Sequence, residues 1–205
     1  MSEDLRAARA TDLPAVRTVL SRAYDGNPLL RWVFPDGATR PDATARWLGP
    51  AIEQYLAVGV VHVAQIGGRV VGVAAWRPVG AASPPPDLPT PADALSTLVG
   101  AERAAQVLAA LAGTRELAPA TPAAYLNFLA VDPDHQGRGV GARLVRAGQA
   151  ALRTPSWLGT TDAANVRFYE RLGYRPFASR VLGDGPVLTL MSSQAGSANQ
   201  TTVSP

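Results

Sequence analysis

Gly137, Gly139 and Gly141 occupy alternate positions, with Arg138 between the first two. They follow the apolar run Tyr125-Leu126-Asn127-Phe128-Leu129-Ala130-Val131 and the segment Asp132-Pro133-Asp134-His135-Gln136. The apolar run is short and β-prone, and Asp132-Pro133 stops it, so it predicts a buried strand. Val140, Leu144, Val145 and Ala147 then fall at helical spacing, which opens a helix inside the glycines. Strand, glycine-rich turn and helix N-terminus make an anion site. Glycines let consecutive N–H groups converge, and the helix dipole adds partial positive charge. Arg138 adds a full one. The chemistry this pattern could do is to hold a phosphate or pyrophosphate. The simpler alternative is a tight turn before a helix.

Named phosphate loops can be weighed against it. A Walker loop needs Gly-Lys-Ser/Thr, and the chain has no lysine. The dinucleotide fingerprint GxGxxG/A is matched by Gly137, Gly139 and Ala142, with Asp162 20 residues beyond. That fingerprint sets its first glycine at the strand end, whereas Asp132 to Gln136 intervene here. It also needs further sheet behind it, and 63 residues follow Ala142. The stretch VDPDHQGRGVG resembles instead the acetyl-CoA pyrophosphate loop of the GCN5-related N-acetyltransferases, Gln/Arg-x-x-Gly-x-Gly/Ala, filled here by Gln136, Gly139 and Gly141. Ala164 to Pro176, ANVRFYERLGYRP, resembles that family's second cofactor motif, Asn…Phe-Tyr-Glu-x-x-Gly-Phe. The two motifs stand in the family's order, 24 residues apart from Gly141 to Asn165. Within the family the layout is most similar to the puromycin N-acetyltransferase-like, antibiotic-modifying enzymes. The likeness is clear from Tyr125 to Met191 and thinner before it.

The resemblance implies an enzyme that moves an acetyl group from acetyl-CoA to an amine, and it implies roles. Gln136, Gly137, Arg138, Gly139, Val140, Gly141 and Ala142 would hold the pyrophosphate. Leu129, Ala130 and Val131 would pair with the pantetheine arm like an added strand, the Val131 N–H donating to the acetyl oxygen. Asn165 and Phe168 would touch the arm, and Tyr169 would protonate the coenzyme thiolate. Asn165 and Tyr169 are four apart and share a helix face, with Phe168 beside them. Their alternative is a helix-start asparagine and a core tyrosine. The family's first helical pair forms one wall of the acceptor pocket. That makes Tyr24, Trp32, Phe34 and Tyr55, with Asn127 on the central strand, candidate substrate contacts; by residue type alone the aromatics are core.

The implied acceptor is the primary amine of a small molecule, drug-like or aminoacyl. A protein N-terminus is one alternative, and a non-catalytic acyl-CoA-binding module another. The chain departs from its relatives at the base. Many members place a carboxylate on or beside the central strand, and Tyr125 to Val131 has none. The puromycin-type enzymes have a Glu six residues before the motif asparagine; that position is Gly159 here. Asp25, Glu53 and His62 remain as bases from the first half.

Other elements must position these residues. Leu5 to Ala10 predicts a first strand and Thr11-Asp12 a helix cap. Leu13, Val16, Val19, Leu20 and Tyr24 then share a helix face. Asn27 to Phe34 is a short apolar segment, and Pro41 to Val58 a second helix. Val60 to Ile66 and Arg69 to Trp76 around Gly67-Gly68 read as a hairpin. A proline-rich loop, Pro78 to Pro91, precedes an alanine-rich helix, Ala92 to Ala112, broken near Gly100. Ser156 to Thr160 is a strand. Asp162 caps a helix that Gly173 ends, and Tyr174 to Leu182 with Pro186 to Met191 form a last hairpin.

The expected fold is therefore α/β: a single domain, 1–191, with a central mixed sheet of six or seven strands flanked by helices, followed by a disordered tail, 192–205. At 205 residues the chain can bury roughly 70% of its unfolded surface. Scattered arginines and a net charge of +3 argue against a nucleic-acid groove. The absence of cysteine excludes thiolate chemistry and fits a cytoplasmic setting, and two histidines argue against a metal site. No apolar run is long enough to span a membrane. A monomer or homodimer is expected.

Overall fold

The predicted central strand forms as β4 (Ala124–Val131) in a computed structural model that describes residues 3–193. It lies within a seven-stranded mixed sheet of order β1-β2-β3-β4-β5-β7-β6. The others are β1 (Glu3–Ala7), β2 (Val60–Ile66), β3 (Arg69–Arg77), β5 (Ser156–Thr160), β6 (Tyr174–Val181) and β7 (Val187–Ser193). Every pairing is antiparallel except β4 with β5. The β2–β3 hairpin turns on Gly67 and Gly68, both at positive φ as such a two-residue turn requires.

One face of the sheet carries α1 (Leu13–Tyr24), α2 (Pro28–Val33), α3 (Arg40–Val58), α4 (Pro91–Val99) and α5 (Ala101–Ala112). The other carries α6 (Val140–Leu152) and α7 (Ala164–Glu170). The helices follow their apolar faces: Val16, Val19 and Leu20 of α1, Trp47 and Ile52 of α3, and Leu144 and Val145 of α6 are all buried. Gly100, at φ 81°, separates α4 from α5 where the break was expected. On the opposite face α6 lies so close to β3 that a Cβ on Gly148 would stand 2.1 Å from Trp76 Nε1.

One segment gains an element and three expectations are corrected. The short apolar segment Asn27 to Phe34, given no element from sequence, forms the helix α2, started by Asn27 Oδ1, which accepts from the N–H groups of Leu29 and Leu30, with Pro28 at the first position. Asp12 does not cap α1; its carboxylate accepts two bonds from Arg6 at 2.7 Å and one from the Arg9 N–H at 2.8 Å. The chain turns there, so β1 ends at Ala7, not Ala10. Ser192 and Ser193, assigned to the tail, pair with β5 and complete β7; the rest of that tail, 194–205, lies outside the described residues.

Two irregularities of β4 shape the middle of the sheet. Phe128 pairs with Ala75 and Leu126 with Trp76, which leaves Asn127 as an extra residue between them. One extra residue reverses the faces beyond it. Leu126 packs on the α6 side, whereas Phe128 and Ala130 pack beneath α1 and α3. Secondly, the parallel pairing with β5 runs only from Ala124 to Leu126, against Ser156 to Leu158. Beyond it the two strands part.

Asp12 ties β1 to the start of α1, and that tie is pH-dependent. The bond from Arg6, then that from the Arg9 N–H, holds its carboxyl below the ordinary value of 3.8 despite partial burial. A lowered carboxyl stabilises the fold above the ordinary value and ceases to do so as pH falls through the folded one. Asp12→Asn should lower the unfolding free energy at neutral pH by ~1–3 kcal/mol. Urea unfolding should show the difference from wild type shrinking as pH falls below 3.8.

Candidate active site

Where β5 turns away, one edge of β4 faces a gap. The Asp132 N–H donates to Val71 O at 2.8 Å. In an alternating antiparallel ladder Ala130 and Phe128 therefore also direct their polar groups to β3. Leu129 and Val131 direct theirs into the gap. Of the three residues expected to bind an extended arm, Ala130 thus contributes a buried methyl and no backbone group.

Those gap-facing groups are held by side chains. Val131 O accepts from Gln136 Nε2 at 3.0 Å. Leu129 is engaged on both sides by the Tyr24 hydroxyl: its N–H donates to Tyr24 Oη at 3.1 Å, and Oη donates to Leu129 O at 3.1 Å. Arg22, two residues before Tyr24 on α1, pairs with Asp132 at 3.0 Å and Asp134 at 2.9 Å. The same helix end therefore fixes both the strand edge and the approach to the glycines.

That approach, Pro133–His135, is a short 3-10 turn begun by Asp132, whose Oδ1 accepts from the Asp134 N–H at 3.0 Å. It is the inserted segment that set the loop apart from a dinucleotide fingerprint. Gly137 and Gly139 come next, at φ 73° and 77°, a conformation that costs glycine little and other residues more. Gly139 is the N-cap of α6, so the N–H groups of Val140, Gly141 and Ala142 in its first turn have no carbonyl within the helix. Gln136, Gly137, Arg138 and Gly139 lie at the surface beside them. Such a cluster of N–H groups could hold an anion of pyrophosphate size.

α7 lines the opposite wall. Asp162 Oδ1 accepts from the Ala164 N–H at 2.9 Å, but the N-cap of α7 is Ala163 and its C-cap Arg171, one and two positions inside the expected Asp162 and Gly173; Gly173, at φ 88°, ends the turn that follows. A Cβ on Gly141 would meet the Phe168 ring at 3.4 Å and Val131 Cγ2 at 3.5 Å, so Phe168 sits where loop, strand end and α7 converge. Tyr169 is buried, edge-on to Phe168 and Tyr174 with ring centroids 5.0 and 5.9 Å away. Its hydroxyl makes no hydrogen bond among the described residues. Burial, then the nearby Tyr24, pushes its pKa up, so it keeps its proton through the neutral range. Asn165 lies exposed on α7, four residues before it.

The remaining candidates separate. Asn127 is the extra residue of β4, at the point where the strands part. The Tyr55 ring stands edge-on to Phe128 at 5.8 Å. Phe34 is buried edge-on to Trp47, within the core. Trp32 ties α2 to the β6–β7 turn: its Nε1 donates to Asp184 at 2.8 Å, and Arg103 lies 4.5 Å over its ring. Thr161 donates to Asn27 Oδ1 at 3.2 Å, so the α1–α2 connection is joined to the β5–α7 loop across the gap.

Sequence reasoning missed Arg22, Asn27, Thr161 and the Tyr125–Trp157 ring pair at 4.3 Å. Tyr125 and Trp157 each stand near the start of a predicted strand; only the parallel register, which a sequence does not display, makes them neighbours.

The possible bases are engaged or distant. Glu53 pairs with Arg17, and Asp25 with Arg40 at 3.3 Å. His62 lies on β2, two strands from the gap, and burial lowers its pKa. A Cβ on Gly159 would meet Leu188 at 3.0 Å and Leu190 at 3.2 Å, which leaves a larger side chain little room.

Comparison with known proteins gives a consistent answer. Residues 94–176 match the family model of the acetyltransferase (GNAT) domain. The fold is similar to a histone acetyltransferase HPA2 and related acetyltransferase from Corynebacterium glutamicum, at 26% identity and a TM-score of 0.72, covering 97% of this chain and 100% of that one. It is similar to arylalkylamine N-acetyltransferase 2 from Aedes aegypti at 13% identity and a TM-score of 0.66, covering 94% and 98%. It is also similar to the PaiA N-acetyltransferase from Thermoplasma acidophilum, solved in complex with coenzyme A, at 10% identity and a TM-score of 0.62, covering 95% and 99%.

Two glycine substitutions separate backbone strain from crowding in the anion cradle. Gly139→Ala places a methyl on a left-handed residue, 3.1 Å from Arg143 Nη1. It should lower the unfolding free energy by ~1–2 kcal/mol. It should also diminish the thermal shift produced by pyrophosphate. Gly141→Ala meets only ordinary contacts and should be neutral or mildly stabilising in the same urea titration.

Proposed function

From a chain that carries a GNAT acetyltransferase domain and is an acetyl-CoA-dependent N-acetyltransferase, we propose that the acceptor is the primary amine of a small molecule, of the low-pKa, aminoacyl type. The observation that carries the reading is the gap between β4 and β5, with the glycine cradle at one end and the Tyr169 phenol in its wall.

The residues suit the cosubstrate. Unpaired N–H groups at the start of α6, with Arg138 beside them, would hold the pyrophosphate. Gln136 and the edge of β4 would align the arm, with Phe168 and Asn165 across from it. Acetyl-CoA supplies the activated acetyl group; the chain supplies placement and protons. The Val131 N–H faces the gap where β5 no longer reaches, and would donate to the acetyl oxygen. Such donors are typically worth ~3 kcal/mol.

Tyr169 would return a proton to the departing thiolate. A phenol (~10) is a weaker acid than a thiol (~8.5), so free transfer is uphill by roughly 2 kcal/mol. Burial raises the phenol further. The proton must therefore move as the C–S bond breaks.

The engaged carboxylates point to the acceptor. A lysine-like amine (~10.4) is neutral at pH 7 about once in 2,500 molecules, and an α-amino group (~7.8) about once in seven. Without a free base, the second needs no help. The Asn27–Thr161 and Trp32–Asp184 bonds tie α2 and its approach to the β5–α7 loop and the β6–β7 turn, which supports a small molecule over a protein terminus needing an open groove.

Thermal melts with acetyl-CoA, CoA and NAD in parallel test the cosubstrate. A ligand at 100 times its Kd adds ~2.7 kcal/mol, roughly 5–10 °C, and the shift should appear with both CoA species and not with NAD. Tyr169→Phe should cost ~10²–10⁴ in kcat with the fold intact; near-wild-type turnover removes its role. On an amine panel, kcat/KM should favour aminoacyl amines over alkylamines. Its pH dependence should follow the acceptor's own pKa, and a limb at an enzyme carboxylate with good alkylamine turnover would contradict the acceptor class.

A further inference from the structure

Resting on the acetyl-CoA reading, we propose that Tyr24 is a built-in stopper of the cosubstrate channel: its hydroxyl occupies the Leu129 backbone edge, and the pantetheine arm must displace it to enter.

Three observations converge on this. First, Leu129 and Val131 are the residues of β4 whose backbone groups face the gap, so an extended amide-bearing arm has only these to add to. Secondly, one of the two is engaged completely. The Tyr24 hydroxyl accepts from the Leu129 N–H and donates to the Leu129 carbonyl, both at 3.1 Å. A phenol has a single proton, so that geometry uses its donor; it takes the Leu129 N–H and one lone pair of the Leu129 carbonyl, the groups an arm on that edge would use. Burial pushes the Tyr24 pKa up, which keeps the donating proton in place through the neutral range. Thirdly, the surroundings are fixed. Arg22 pairs with Asp132 and Asp134, and Asn27 is bonded to Thr161, on either side of Tyr24 in the chain. Release of Leu129 is therefore a swing of one side chain, not a movement of α1.

The stopper solves a packing problem. A buried strand edge with unpaired N–H and C=O groups is costly, and without ligand β4 would carry one. Tyr24 satisfies the edge in the free enzyme. Its bonds are lost on binding, so the affinity of the arm is lowered by the fraction of molecules in which the edge is closed. The displaced phenol would swing toward the acceptor side, so that side would take its final shape only after acetyl-CoA has bound.

Titration calorimetry of wild type and Tyr24→Phe with acetyl-CoA and with adenosine 3′,5′-bisphosphate tests this; the bisphosphate reaches the glycine cradle and has no arm to enter the gap. The variant keeps the ring and loses the hydroxyl. It should bind acetyl-CoA roughly three- to tenfold tighter and the bisphosphate unchanged. In the unliganded proteins the Leu129 amide should exchange faster in the variant. Equal or weaker acetyl-CoA affinity in the variant overturns the stopper, as does an equal gain for both ligands or unchanged exchange at Leu129. Failure of wild type to bind acetyl-CoA at all would overturn the cosubstrate reading, and the stopper with it.

Discussion

The structure depends on β4 and β5 pairing for three residues and then parting. A mixed sheet that opens at its one parallel pairing exposes backbone donors and acceptors where water is scarce, and such groups must find partners. Leu129 finds Tyr24, and the Val131 carbonyl finds Gln136. These are not decorations of a binding site. They allow the sheet to be open without collapsing.

The rest of the fold serves that opening. The extra residue at Asn127 turns Phe128 and Ala130 beneath α1 and α3 while Leu126 packs on α6, so both faces of the sheet are anchored up to the point where it splits. Arg22 carries the C-terminal end of α1 to Asp132 and Asp134, and with them the segment that delivers the glycines. α7 brings Phe168 against Gly141 and Tyr169 into the wall. The glycine turn, the strand edge and the Tyr169 phenol thus meet from α6, β4 and α7. The likeness to known acetyltransferases agrees with this arrangement: the matched stretch, 94–176, contains β4, the glycine loop, α6, β5 and α7.

What the site lacks is also informative. Asp25 and Glu53 are paired with arginines, and Gly159 is crowded by Leu188 and Leu190. With these candidate carboxylates engaged, a site that used Tyr169 as its donor would place the burden of neutrality on the acceptor. That physical asymmetry underlies the preference proposed for amines that are already partly neutral.

The sequence by itself determined the local pieces. Apolar runs of strand length, a glycine run at a helix start and the turn at Gly67-Gly68 are short-range chemistry, and each formed where it was read. The two cofactor motifs were legible for the same reason: their residues are neighbours in the chain. Sequence reading misjudged Asp12, whose cap chemistry is indistinguishable from an acid awaiting Arg6, and left Asn27 to Phe34 without an element, where a capping asparagine and a following proline start α2. Only the tertiary structure decided which backbone groups face the gap, that the Tyr24 hydroxyl meets Leu129, and that Tyr125 lies beside Trp157. Those facts rest on strand order, register and a one-residue bulge. None of these is written in any local run of residues, because each is settled by how separate elements bury one another's faces.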